Sequence, residues 1–320
     1  MPKVSVVIPN YNGEKYLKGC IDALMIQDEM DFETIIIDNA STDSRYEWLD
    51  EYKDIIFKRL DKNYGFSPAV NVGIKMAQGE YVLLLNNDTV VEKDFIRQMV
   101  KVIEQDTRIF GVSSKMIAYD NHEMMDDAGD EYTILGWAYK RGDGKPVDQF
   151  NKAQKVFSAC AGAALYRKKV FDEIGLFDED FFAYMEDVDV SYRARVYGYY
   201  NVYCPEAKVY HIGSATSGSK YNDFKVRLAA RNNVYVPYKN MPLLQLILNL
   251  PALFIGTVVK YIWFYKKGFG KVYQEGLMEG FKSLHQIEKV PYKWSHFIHY
   301  LQIEWLLIKN TFKYVVTKLK

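Results

Sequence analysis

The sequence predicts an α/β protein with a Rossmann-like, mostly parallel twisted sheet flanked by helices, and a helical extension at its C-terminal end. Three observations carry this. Short β-branched runs alternate with helix-period segments through the first hundred residues. The runs are continuously apolar instead of alternating, as expected of strands covered on both faces. Three of the first four runs end in polar clusters, Pro9-Asn10-Tyr11-Asn12, Asp38-Asn39 and Asn86-Asn87-Asp88, at the edge where open α/β sheets bind ligands.

Each element follows from its pattern. VSVVI (4–8) reads as the first strand. In YLKGCIDALMIQ, residues Tyr16, Leu17, Cys20, Ile21, Leu24 and Met25 form one apolar stripe on a helix. TIIIDN (34–39) is a strand, 46–52 a short helix and DIIFKRL (54–60) a third strand. PAVNVGIKMA (68–77) is a helix with Pro68 near its first turn. YVLLL (81–85) is a fourth strand, and 93–105 an amphipathic helix. Residues 113–158, rich in Gly, Asp and Tyr, are expected to form long loops. Order returns at ACAGAALYRKKV (159–170), followed by a loop at 175–186, a helix from Asp187 to Val196 and the strand-like VYCPEAKVY. No internal repeat or low-complexity tract interrupts the chain.

From Met241 the texture changes. MPLLQLILNLPALFIGTVVKYIWFYKK is apolar, interrupted by Gln245, Asn249, Pro251 and Lys260, and closed by lysines. The 320 residues carry a formal net charge of zero, but beyond Met241 eleven Lys face four Glu, so a basic tail follows an acidic body. The neutral total gives no general case for a nucleic-acid partner. Lysines at 260, 266, 267 and 271, then Lys309, Lys313, Lys318 and Lys320 on an aromatic-rich helix (294–318), suit attachment to an anionic membrane surface. A packed or dimerising cap and a true membrane span are the other readings of this region. Cys20, Cys160 and Cys204 are odd in number and far apart, as expected of reduced thiols in a cytoplasmic protein. MPKVSVVIPN is already a strand without a signal-peptide pattern, so secretion is not expected.

Five ordered stretches, VVIPNYNGEKYL, IIIDNASTD, NYGFSPAVNVGI, LLLNNDTVV and FFAYMEDVDVSYR, resemble the family 2 glycosyltransferases with a GT-A fold, most closely their bacterial rhamnosyltransferase branch. The resemblance spans about residues 3–235. It implies a catalytic domain over 1–235, with a nucleotide-sugar half to about 112 and an acceptor half from 113; beyond it, the composition makes 236–320 a basic, aromatic-rich helical region expected to associate with a membrane. Neither a Walker A loop nor GxGxxG is present, so those phosphate cradles have no support.

The resemblance also assigns roles. Asn86-Asn87-Asp88 matches the family's Asp-x-Asp-like motif without its first Asp, leaving Asp88 to hold a divalent cation, Mg²⁺ or Mn²⁺, and Asn86 to meet ribose. His211, beside a Gly-Ser loop, is expected to complete the metal or diphosphate site. Asp38 would receive the N3–H of a pyrimidine, with Pro9, Tyr11 and Asn12 lining the same pocket. Asn63, Gly65 and Asn71 match a second nucleotide contact. Glu186-Asp187 matches the catalytic-base motif, Asp187 preferred and Glu186 the alternative. Plainer readings stand beside these: an Asn-Asp turn at 86–88, a turn cap at Asp38, and acids favouring a helix N-terminus at 186–189, where Asp189 can pair with Arg193. The implied activity is inverting transfer, favouring dTDP-β-L-rhamnose as donor and a lipid-linked saccharide at the inner face of the plasma membrane as acceptor. UDP-hexose transfer and a non-catalytic nucleotide-sugar-binding scaffold are the alternatives.

Overall fold

A computed structural model describes residues 1–29, 31–43, 46–52, 54–213 and 221–319. Lys320 and the Ser214–Thr216 part of the Gly-Ser loop lie outside the described residues. The N-terminal elements are β1 (Val4–Asn10), α1 (Glu14–Met25), β2 (Phe32–Asp38), β3 (Ile55–Arg59), α2 (Phe66–Met76), β4 (Tyr81–Leu85), β5 (Thr89–Val91) and α3 (Phe95–Ile103). One 3-10 turn, Glu47–Glu51, stands where the short helix was expected. The second part holds β6 (Ile109–Ala118), β7 (Met125–Asp127), β8 (Asp130–Tyr132), β9 (Ala138–Lys140), β10 (Gln154–Val156), β11 (Ala163–Arg167), α4 (Phe171–Ile174), α5 (Glu186–Val196) and β12 (Tyr200–His211). Four helices follow: α6 (Asp223–Asn240), α7 (Leu243–Lys266), α8 (Gly270–Lys282) and α9 (Phe297–Leu319).

The main sheet runs β10-β12-β6-β11-β4-β1-β2-β3, with β5 on β12 and β7 on β6. Strands β3, β2, β1 and β4 are mutually parallel, as the apolar runs predict. Helices α1 and α3 cover one face through Leu17, Ile21, Leu24, Phe95 and Met99. Helices α2, α4 and α5 cover the other through Val70, Ile74, Phe171, Val190 and Ala194.

Residues 113–158 correct the expectation of long loops. β6 is ten residues long and buried almost throughout, although Ser113, Ser114 and Lys115 sit within it. Its polar groups are satisfied inside the protein: Ser114 Oγ donates to Ala163 O at 2.8 Å and Lys115 Nζ to Asn151 Oδ1 at 2.6 Å. Of the short strands that follow, β7 folds back on β6, β8 and β9 form a separate hairpin, and β10 pairs with β12.

Three pairings decide what meets at the carboxyl edge. β11 runs antiparallel to β4 with Ala163 opposite Leu85, so 158–162 reach the end of β4. β12 pairs β5 with His211 opposite Thr89, which delivers His211 beside Asp88. β7 pairs β6 with Asp127 opposite Met116, bringing Asp126 to the same corner.

The β8–β9 hairpin is held by the C-terminal helices. Trp137 Nε1 donates to Gly256 O at 3.1 Å, and a Cβ on Gly256 would lie 2.2 Å from Leu135 O. Asn310 Nδ2 donates to Glu131 Oε2 at 2.9 Å. Helix α7 runs unbroken through Pro251. Its polar interruptions turn inward, Gln245 and Asn249 both donating to Glu304 Oε2 of α9 at 2.7 and 2.9 Å. Its outer face, including Leu244, Leu248, Phe254 and Ile255, is exposed.

Candidate active site

The ends of β1 and β2 are locked by one amide. Asn10 Nδ2 donates to Asp38 Oδ1 at 3.0 Å and to Tyr46 Oη at 2.9 Å, while Asn10 Oδ1 accepts from Asn87 Nδ2 at 2.6 Å. The base-pocket strand end and the 86–88 turn are therefore contiguous. Gly13 permits the close approach, since a Cβ there would lie 1.9 Å from Asn87 Nδ2. Asp38 is fully buried, and its oxygens already accept from Asn10, Tyr46 Oη and the Ser41 amide, with Arg59 Nε 3.4 Å away. In this structure the carboxylate organises the strand ends, because a buried charge must be paired. Pro9 and Tyr11 are half-buried beside it. Asn12, at φ 49°, is exposed and accepts from the Thr42 amide at 2.8 Å.

The second contact divides. Asn63 Oδ1 accepts from Asn39 Nδ2 and from the Gly65 amide, both at 2.9 Å, tying this loop to the end of β2. Gly65 has φ 95°, and a Cβ there would lie 2.6 Å from Phe182 O, so glycine is required both for conformation and for space. Asn71 does not face this loop. It is 2% exposed and spends its amide on Phe177 O, Glu179 Oε1 and the Phe177 amide, fastening α2 to the segment before α5.

At the other corner stands a chain of charges. Asp88 Oδ1 lies 3.4 Å from His211 Nε2, and His211 Nδ1 lies 2.7 Å from Asp126 Oδ2. Asp126 in turn binds Lys140 Nζ at 3.0 Å. Burial works to lower His211, but Asp126 and Asp88 outweigh it and push the imidazole up to about 9. Burial works to raise Asp126, and His211 and Lys140 hold it below the ordinary carboxylate range instead. A carboxylate behind a histidine whose other nitrogen faces a second carboxylate is how metal-bound imidazoles are oriented. The donor set thus fits a divalent cation held by Asp88 and His211, in place of the proton they share. Asn86 is half-buried, and its backbone N–H donates to Gly162 O at 2.8 Å. Sequence reasoning missed Asp126 and Lys140, because both fall in the stretch read as loop. Asp126→Asn keeps the shape and removes the orienting charge; the expected result is Mn²⁺ affinity reduced about 10–100-fold by calorimetry, with the fold retained by circular dichroism.

The acids of α5 separate. Glu186 is 7% exposed, its Oε2 has no partner among the described residues, and burial with the neighbouring Asp187 pushes it up to about 8. Asp187 is half-buried and accepts from the Val188 amide at 2.7 Å. Burial raises it, and the Val188 and Ala161 amides limit the rise to about 6. Asp189 is fully buried on Arg193, Asn240 and Lys239. Of the three acids Asp187 is the half-buried one that a ligand can reach. A base with this pKa works above pH 6, so the logarithm of kcat is expected to fall with unit slope as pH drops below about 6 in a pH–rate profile.

The approach to α5 is strained. Phe182, Tyr184 and Met185 all have positive φ (61°, 69° and 72°). Asn232 of α6 holds them, its Nδ2 lying 3.0, 2.9 and 2.7 Å from the carbonyls of Phe181, Ala183 and Tyr184. Neither the left-handed backbone nor this long-range amide has a local signature.

Residues 5–175 match the family described as Glycosyl transferase family 2. The low-salt glycan biosynthesis hexosyltransferase Agl10 of Haloferax volcanii is 25% identical over 249 residues, covering 72% of this chain and 76% of that one. The glycosyltransferase GlyA of Streptococcus pneumoniae is 31% identical over 104 residues, and the match covers 32% of this chain but only 15% of that relative's length. A solved mannosyltransferase of Pyrobaculum calidifontis, in complex with GDP-Man and Mn²⁺, superposes with a TM-score of 0.54 at 15% identity, covering 95% of this chain and 87% of that one.

Proposed function

The chain belongs to the family 2 glycosyl transferases and has their GT-A fold, and on that basis we propose that it moves a sugar from a nucleoside diphosphate to a saccharide hydroxyl, with inversion, in cell-surface polysaccharide synthesis. The observation that carries the reading is one edge of the sheet bearing both the Asp88–His211–Asp126 array and the half-buried, reachable carboxylate of Asp187. Gly162 and Ala161 join the two, the former bonded to the Asn86 amide and the latter's amide facing Asp187.

A divalent cation bound at Asp88 and His211 would neutralise the departing diphosphate. The chain's own residues do the rest. Asp126 holds the His211 ring, and Asp187 accepts the proton of the acceptor hydroxyl as its oxygen forms the new bond to the anomeric carbon. The bond from that carbon to the diphosphate breaks on the opposite face, which inverts the configuration. Of donors, we favour dTDP-β-L-rhamnose from the ordered motifs; hexosyl and mannosyl relatives support a UDP- or GDP-hexose as the alternative. Release of nucleoside diphosphate from dTDP-L-rhamnose, UDP-glucose, UDP-GlcNAc and GDP-mannose, each with Mn²⁺ or Mg²⁺, tests this. Turnover of a UDP- or GDP-sugar alone rejects rhamnose, and turnover of none favours a non-catalytic binding protein.

We also place the acceptor at a membrane. The exposed apolar face of α7, with Leu243, Leu244, Ile247, Leu248, Phe254 and Ile255, is followed by Lys266, Lys267 and Lys271, and supports peripheral docking on an anionic leaflet at the cytoplasmic side. Sedimentation with phosphatidylserine vesicles is expected to pellet the protein at low salt and release much of it at high salt. Equal pelleting with neutral vesicles would contradict the electrostatic part.

A further inference from the structure

The mechanism above leaves three polar side chains unused beside the base. Asp127, Asp130 and Cys160 offer one carboxylate oxygen each and a thiol, all within 4.8 Å of one another. Asp127 is fully buried; one oxygen accepts from the Gly129 amide, and Oδ2 has no partner among the described residues. An unpaired buried carboxylate oxygen is costly, so its retention calls for a ligand. The cluster is not sealed off, since Cys160 is only half-buried.

Its position says what that ligand is. Cys160 begins the strip Cys160–Gly162, whose far end bonds the Asn86 amide and whose middle amide faces Asp187. A diphosphate at Asp88 and an acceptor hydroxyl at Asp187 leave the transferred ring between them, over this strip. The chemistry agrees. Burial and the neighbouring Asp127 and Asp130 push the Cys160 thiol well up, so it is a poor metal ligand, and Lys140 already supplies a positive charge to the same group. Burial and neighbouring carboxylates push Asp127 and Asp130 up as well, so the pair offers a neutral polyol both O–H donors and oxygen acceptors, and such a site discriminates against rings that lack the matching hydroxyls. We propose that Asp127 and Asp130 read the hydroxyls of the transferred sugar, with the Cys160 thiol forming the wall beside them. The inference rests on the transferase reading and extends it to donor specificity.

The test compares two ligands by calorimetry with Mn²⁺: whichever of the four nucleotide sugars above the wild type hydrolyses, and its parent nucleoside diphosphate. Asp130→Asn is expected to weaken the nucleotide sugar roughly 10–100-fold while leaving the nucleoside diphosphate within about twofold of wild type. Asp127→Asn is expected to do the same; should it unfold through loss of the Gly129 turn, Asp130→Asn decides alone. Equal weakening of both ligands, or of neither, overturns the proposal. So does a second Mn²⁺ equivalent in the wild type that vanishes in Asp130→Asn, which makes the cluster a cation site. A wild type that binds the nucleoside diphosphate and turns over no sugar removes the transferase reading itself, an outcome distinct from the others.

Discussion

Asp187→Asn is expected to lower kcat by about 10²–10⁴-fold, the range for removal of a positioned general base, while donor affinity stays near wild type. The amide is isosteric, and the Val188 and Ala161 amides that face the carboxylate can still meet its oxygen, so α5 keeps its start. What disappears is the capacity to take a proton. Two readouts separate this from structural damage. The fall in kcat below pH 6 should vanish along with the rate, and calorimetric binding of the nucleotide sugar should persist. Glu186→Gln is the control. Glu186 is buried away from an approaching ligand, and burial beside Asp187 pushes it up, so its amide should cost far less turnover than Asp187→Asn.

Asp88→Asn is expected to give the second large effect, a loss of about 10³-fold in kcat/KM at fixed Mn²⁺, since a Lewis acid contributes several kcal/mol to a departing diphosphate. It should also be visible without any substrate. His211 is held up to about 9 partly by Asp88, so neutralising that partner lowers the imidazole pKa while Asp126 keeps it in place. Proton NMR of the His211 ring should follow this downward shift. An unmoved His211 would mean that the two side chains do not share a proton or a cation.

These residues differ in how far the sequence announced them. Strands β1, β2 and β4 are legible because both faces are covered and each holds a continuous apolar run, Val6–Ile8, Ile35–Ile37 and Tyr81–Leu85. The residues at their ends follow from fold geometry, which is why 86–88 and 38–39 stood out. Stretch 113–158 was illegible for a physical reason. Ser113, Ser114 and Lys115 are buried in β6, the last two on partners more than thirty residues away, and β7, β8 and β9 span three residues each, too short for a period to show. Asp126, Lys140, Asp127 and Asp130 were hidden with it. Asp38 and Asn71 show the converse. Their residue types suit ligand contact, and the partners they meet within the protein, Tyr46 and Phe177, lie beyond any local pattern. Nor does residue type reveal that Asn232 holds three carbonyls of the strained approach to α5.

The account stands on a cation seated between Asp88 and His211 and bridging to a diphosphate, on the edge that also presents Asp187. Anomalous diffraction from crystals soaked with Mn²⁺ and a nucleoside diphosphate measures this directly. The expected map has one Mn²⁺ peak in bonding contact with an Asp88 oxygen and with His211 Nε2, and phosphate oxygens completing its shell on the side of Asp187. A diphosphate bound elsewhere, or Mn²⁺ that ignores Asp88, would contradict it.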